Sequence, residues 1–224
     1  MEKFLPPAFL KTAQFILDLI FPVSCFGCGK EGDWLCPVCF GKITLADRTR
    51  ETSPPLDKVL IACDYKNQVV KKLILNLKYN FIRDLAGPIG KLMSRKLSRY
   101  LSENNSAVLI PVPLHKKRLR WRGFNQAELL ANEINRDSNI PVVGNALIRH
   151  RHALPQAKIN DASARKENIR NSFAINPDFR VNLKNKTVIL IDDICTTGAT
   201  LAECARALKP LQPKQIWALV FANG

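Results

Sequence analysis

Acidic side chains are scarce in this chain: Asp and Glu number 19 against 34 Lys and Arg, which leaves a formal charge of +15 on 224 residues. Such an excess favours an anionic partner: nucleic acid, a phosphorylated ligand or an acidic membrane surface. Charge alone names none of these, and a solvated basic surface is the plain alternative. Long apolar runs are missing too. Residues 4–23 are apolar but interrupted by Lys11, Thr12, Gln14 and Asp18, with no clean small-residue cleavage site behind them. Neither a signal peptide nor a membrane span is therefore expected, and a cytoplasmic location is. GxxxxGK and GxGxxG are both absent, which excludes a Walker phosphate loop and a dinucleotide fingerprint. The three histidines, His115, His150 and His152, lack metal-ligand spacing. No N-terminal cysteine nucleophile is present, so glutamine amidotransfer is not expected.

With 46% hydrophobic and 24% charged residues the chain is globular, long enough for one α/β domain and a small appendage. Four of the seven cysteines crowd into CFGCGKEGDWLCPVC as two CxxC pairs, Cys25 with Cys28 and Cys36 with Cys39. An odd count with paired CxxC turns fits a reducing compartment and a metal better than a disulfide framework. Four thiolates leave no open coordination position, which points to structural Zn²⁺ holding a knuckle too small for its own core. A dithiol redox site is the rival, although one such site does not need two pairs. Phe26 and Trp34 are expected to cover the knuckle, or to stack on a base if exposed.

Apolar residues at helical spacing predict an amphipathic helix over residues 7–19, ahead of the knuckle. Residues 41–57, polar and containing Ser53-Pro54-Pro55, read as a linker, and the expected domains are 1–50 and 51–224. Beyond it come a strand over 59–65, a helix over 69–79 with Lys71, Lys72 and Lys78 outward, and a basic helix over 85–101 interrupted by Gly87-Pro88. A strand over 107–112 leads into PLHKKRLRWRGFNQAELLANEI. Its segment from 116 to 122 carries Lys116, Lys117, Arg118, Arg120 and Arg122 with no acid. It reads as a cationic loop built to meet phosphate oxygens, Arg118 and Arg122 taking a pyrophosphate bidentately and the lysines acting as point charges. Residues 142–148 suit a short strand or edge hairpin, 149–161 a long basic loop, and 163–171 a helix. Alternation of strands and helices implies a mostly parallel sheet covered on both faces.

The most informative stretch is VILIDDICTTGAT, residues 188–200. Its apolar run suits a central buried strand over 187–193, followed by a loop and a helix over 198–208; residues 215–221 make the last strand. Ligands in such sheets sit at the carboxyl ends of the strands, where Asp192 and Asp193 fall. Bare carboxylates repel phosphate, so their task is to accept hydrogen bonds from vicinal hydroxyls or to hold Mg²⁺ through water. A ribose 5-phosphate satisfies the whole segment: Asp192 and Asp193 on the hydroxyls, Thr196, Thr197, Gly198, Ala199 and Thr200 around the phosphate. The cationic stretch then covers a second anionic group.

VILIDDICTTGAT resembles the phosphoribosyl pyrophosphate (PRPP) signature of type I phosphoribosyltransferases. Together with PVPLHKKRLRWRGFNQAELLA, Gln156, RKENIRNSF and the four-cysteine knuckle, it makes the chain similar to the ComF family of ComFC-type competence proteins, related to the GntX group. Ala153 stands where relatives tend to have a threonine. The resemblance implies a type I phosphoribosyltransferase-like α/β fold with an N-terminal zinc module. It also implies binding of PRPP with Mg²⁺, and handling of incoming single-stranded DNA in natural transformation beside a helicase-like partner. An active phosphoribosyltransferase with an unidentified acceptor is the alternative; no general base or nucleobase pocket is legible.

Overall fold

The computed structural model describes residues 22–47, 49–50, 55–101, 106–150 and 171–224. The helix expected over 7–19, most of the loop expected over 149–161, all but the last residue of the helix expected over 163–171, Ala153 and Gln156 lie outside them. The chain divides into two compact units, residues 1–43 and 44–224.

In the first unit a short helix α1 (Pro37–Gly41) starts at Cys36, with proline at its first position, where no N–H is needed. Ser24 bridges Glu31 across a tight turn, and Phe26 and Trp34 stack with ring centroids 5.5 Å apart.

The second unit is built on a five-stranded sheet. In chain order its strands are β1 (Thr49–Arg50), β2 (Lys58–Asp64), β3 (Ala107–Pro111), β6 (Thr187–Cys195) and β7 (Gln215–Asn223). Their spatial order is β1-β2-β7-β6-β3, antiparallel only at β1 and parallel elsewhere. The fold expected from the sequence, a mostly parallel sheet covered by helices together with an N-terminal four-cysteine cluster, is the fold found. Pro111 ends edge strand β3, where its missing N–H interrupts no ladder. Two details differ from expectation. β1 pairs with β2 inside the stretch read as linker. β6 runs on past Asp193, because Ile194 and Cys195 still pair with Ala222 and Asn223.

Both faces are apolar, as in sheets covered by crossover helices. Val188 and Leu190 of β6 pack with Leu201, Cys204, Ala205 and Leu208 of α6 (Ala199–Leu208) in one core. That core continues into Leu147 of β4 (Leu147–Arg149) and Phe173 of β5 (Phe173–Ile175), which form a separate antiparallel pair. Only Leu147 to Ile148 of the segment expected as a strand or hairpin joins this pair; upstream, Val142 makes a parallel bridge to Leu109. The opposite face carries α3 (Ala86–Ser98) and α5 (Gln126–Ser138). Pro88 sits in the first turn of α3 without breaking it, since first-turn amides have no intrahelical partner. α2 (Gln68–Tyr79) is capped by Asn67, whose side-chain oxygen accepts from the N–H groups of Val69 and Val70 at 2.9 and 3.3 Å.

The cationic stretch is not a loop. It forms helix α4 (Lys116–Arg122), because its residues are good helix formers and both ends are capped. His115 Nδ1 accepts from the Lys117 N–H at 3.2 Å, and Gly123 closes the helix in the left-handed region at φ 77°. Asn125 then caps α5 and donates to the carbonyl of Val112 at 3.1 Å, tying the turn after α4 to the end of β3.

Candidate functional site

Period-two alternation along β6 sends Asp192 and Asp193 to opposite faces at the carboxyl end of the sheet. Asp193 is buried, 3% exposed, and accepts an ion pair from Lys78 Nζ of α2 at 2.8 Å. Its second oxygen, Oδ2, is buried with no hydrogen-bond partner. Asp192 accepts the backbone N–H of Asp193 at 2.8 Å. Burial and then the charge of Asp193 push the Asp192 carboxyl up to about 7, against the pull of Lys78, that N–H and Arg149.

Two guanidinium groups, of Arg122 and Arg149, lie within electrostatic reach of these carboxylates, and Arg118 lies within reach of both arginines. Arg122 is 7% exposed and donates to Gln126 Oε1. Burial lowers its pKa, the field of Asp193 raises it and that of Arg118 lowers it again. Arg149 lies at the end of β4 with its guanidinium 5.1 Å from the Phe173 ring centroid. Burial, then Arg118, lower its pKa, while Asp192 opposes. Arg118 and Arg122 share a face of α4 because they are four residues apart. The Nε atoms of Arg122 and of Arg149 are both buried without a partner. Buried polar groups are ordinarily satisfied, so these unpaired guanidinium donors are open to an anionic group and the unpaired Asp193 oxygen to a hydroxyl.

The five cations singled out in the sequence do not act alike. Arg122 turns inward and Arg118 is half-buried, whereas Lys116, Lys117 and Arg120 are exposed. Beyond Cys195, residues Thr196 and Thr197 turn toward Gly198, which takes φ 77° to start α6, and Ala199 N donates to Thr197 Oγ1 at 3.4 Å. These hydroxyls and the helix N-terminus lie directly after the carboxylates, an arrangement suited to a phosphate.

Two site residues escaped the sequence reading. Lys78, expected to face outward, pairs with Asp193; it continues the buried face of Val70 and Ile74 by one further turn. Arg149, assigned to a loop, shares the inward face of β4 with Leu147. In each case the periodicity was the available signal.

In the first unit, the sulfurs of Cys25, Cys28, Cys36 and Cys39 lie within 4.8 Å of one another, a donor set able to hold a metal ion. Cys25 Sγ accepts the N–H groups of Gly27 at 3.4 Å and Cys36 at 3.3 Å. Burial opposes its ionisation, but the N–H groups of Cys36, Cys28 and Gly27 outweigh it and bring the thiol down to about 6. Burial pushes Cys39 up to about 12, with hydrogen bonds from Cys28, Cys36 and Cys25 and the charge of Cys25 adding to it. A Cβ on Gly27 would stand 2.6 Å from Cys39 Sγ, so only glycine admits this approach.

Residues 120–224 match the phosphoribosyl transferase domain. "Competence protein F" of Haemophilus influenzae is 35% identical over 51% of this chain and 50% of its own length, so the match spans half of that relative. "Competence protein ComFC" of Bacillus subtilis is 31% identical over 63% of this chain and 54% of its own. "DNA utilization protein YhgH" of Shigella flexneri is 27% identical over 83% of each. The chain is thus similar to ComF-type competence proteins and carries a phosphoribosyl transferase domain. Among solved structures, a purine phosphoribosyltransferase from Pyrococcus horikoshii is 16% identical, covering 62% of this chain and 72% of that one, with a TM-score of 0.39. Among the described residues, no helix is long and apolar enough to cross a membrane.

Proposed function

We propose that this chain is a cytoplasmic, PRPP-binding competence protein that handles incoming single-stranded DNA in natural transformation. The observation that carries the PRPP reading is the set of buried atoms without partners on residues coupled to the Asp192–Asp193 pair: Nε of Arg122, Nε of Arg149 and Oδ2 of Asp193. Asp192 and Asp193 accept the ribose hydroxyls. Thr196, Thr197, Gly198, Ala199 and Thr200 hold the 5′-phosphate, and Arg118, Arg122 and Arg149 take the pyrophosphate. Mg²⁺ entering with PRPP supplies countercharge to the pyrophosphate. Cys25, Cys28, Cys36 and Cys39 hold structural Zn²⁺. The exposed Lys116, Lys117 and Arg120 contact DNA phosphates, and a helicase-like competence protein is the expected partner. The names of the relatives and the +15 charge support the DNA arm.

Calorimetric titration with PRPP, with and without Mg²⁺ and then with a single strand present, tests the proposal. Binding that Mg²⁺ strengthens is expected, and any coupling between PRPP and DNA must be reciprocal. Absence of a PRPP isotherm under both metal conditions overturns it.

Asp192 favours a second reading, an active phosphoribosyltransferase. A carboxyl near 7 is suited to taking and returning a proton at neutral pH. Pyrophosphate release from PRPP with a panel of bases and amines tests it; no release above hydrolysis with any acceptor counts against it.

A further inference from the structure

The cationic helix has a second, outward side. Trp121 follows Arg120 there and is 59% exposed, while its neighbour Arg122 is buried. Phe81, from the turn after α2, meets Trp121 edge to face, with centroids 5.1 Å apart and planes at 79°, and is itself 38% exposed. Phe124 backs Phe81 at 6.5 Å and 89°. Arg83 lies 4.8 Å over the Phe124 ring and donates to the Gly123 carbonyl at 2.9 Å. The Arg122 guanidinium lies 5.9 Å from the Trp121 centroid. The rings are thus held in fixed orientations by neighbours on three segments, yet two of them stand open to water.

Phe81 sits at φ 56°, in the left-handed region that bulky side chains rarely enter. Strain of that kind persists where the surroundings over-determine it, and it collects at binding sites. Here it keeps a large ring at the surface against Trp121, where a relaxed backbone would carry the ring elsewhere. Exposed Lys117 and Arg120 flank Trp121 on the same helix, and no acid interrupts positions 116 to 122.

We propose that Phe81 and Trp121 form a stacking platform for the bases of single-stranded nucleic acid, with Lys117 and Arg120 on its phosphates. This rests on the DNA-handling reading above and gives it a site. Open aromatic faces interleaved with cations suit a single strand because every base offers a π-face regardless of sequence, whereas in a duplex those faces are already stacked. Trp121 shares α4 with the inward Arg118 and Arg122, so one helix presents cations to PRPP on one side and a ring to the strand on the other.

The experiment uses the full chain and fluorescence anisotropy with three labelled DNAs of about 16 nucleotides. One is a homopyrimidine strand, the second an abasic strand of equal length, which keeps the phosphates and loses the bases, and the third the duplex of the first. Wild type should bind the base-bearing strand more tightly. In Trp121→Ala and in Phe81→Gly that affinity should fall by roughly tenfold while abasic binding stays unchanged. Trp121→Phe should restore part of the loss. Phe81→Gly removes the ring at a backbone geometry glycine adopts without strain, so the variant keeps the fold, with thermal melting as the check. If both variants bind the base-bearing strand like wild type, or lose both strands equally, the platform is overturned and the DNA reading stands. If wild type binds neither strand, both fall. If affinity responds to Trp121 equally for the single strand and its duplex, the face is not a single-strand platform.

Discussion

Lys78 Nζ lies 2.8 Å from Asp193 Oδ1, joining the last turn of α2 to the carboxyl end of β6. Asp193 is buried and its other oxygen has no partner, so the Lys78 ion pair, with Arg122 within its field, offsets that charge before a ligand arrives. Removing one member of a buried pair strands the other, and the penalty exceeds the net worth of the pair. Lys78→Met should lower stability by about 3 kcal/mol. In urea this appears as a lower midpoint at unchanged slope. Adding Asp193→Leu should recover much of the loss, because an apolar pair replaces two desolvated charges. A loss in Lys78→Met below about 0.5 kcal/mol, the scale of an exposed pair, would show that water balances Asp193 instead.

Asp192 makes stability depend on pH. Its folded carboxyl titrates at about 7 against 3.8 as its ordinary value, so between those limits the folded chain holds a proton that the unfolded chain has released. Its contribution is complete below the unfolded value and is lost as pH rises through the folded one. Asp192→Asn should therefore gain in Tm relative to wild type from about pH 4 to about pH 8, and show no further trend below that window. Melting curves of both proteins across the series check this; a difference independent of pH would remove the perturbed carboxyl from the account.

The inward and outward cations should separate by ligand. Arg149→Gln leaves an uncharged group against the Phe173 ring and should weaken PRPP binding by about tenfold to a hundredfold, with little effect on single-stranded DNA. Arg122→Lys should also weaken PRPP binding, since lysine keeps the charge but lacks the planar fork. Neutralising Lys116, Lys117 and Arg120 should do the reverse. Each lost phosphate contact should flatten the slope of log K against log salt by about 0.7 for a single strand. An unchanged slope in the triple variant would move the DNA contacts off this helix.

Gly27→Ala tests the knuckle without touching a ligand. The new methyl would lie 2.6 Å from Cys39 Sγ, so the sulfur must move. Zinc affinity, read by competition with a chromophoric chelator, should fall by about tenfold to a hundredfold, as it does when the groups that orient metal ligands are disturbed. Affinity equal to wild type would mean that Cys39 is not a ligand.

Local chemistry was legible in the linear chain wherever one short segment carries both the element and its function. Residues 188–200 encode a buried strand, a turn and a helix start through their own periodicity and caps, and the two CxxC turns bring four sulfurs together over fifteen residues. The cationic stretch was legible as chemistry but not as structure. Counting its charges hid that His115 and Gly123 cap it into a helix, and only the helix separates Arg122 and Arg118 from Lys116, Lys117 and Arg120.

Lys78 and Arg149 mark what the linear chain left open. Each continues an inward periodicity, Lys78 along α2 and Arg149 along β4, but a charged residue at such a position reads as the end of the buried face. The tertiary fold decides otherwise, because it brings the ends of α2 and of β4, from the separate antiparallel pair, within reach of the carboxyl end of β6. There the cost of burying Asp192 and Asp193 is met by cations from remote parts of the chain. Backbone propensity and spacing act over a few residues and can be read from the letters. The balance of buried charge is a property of what surrounds an atom in space, and only the assembled sheet supplies those neighbours.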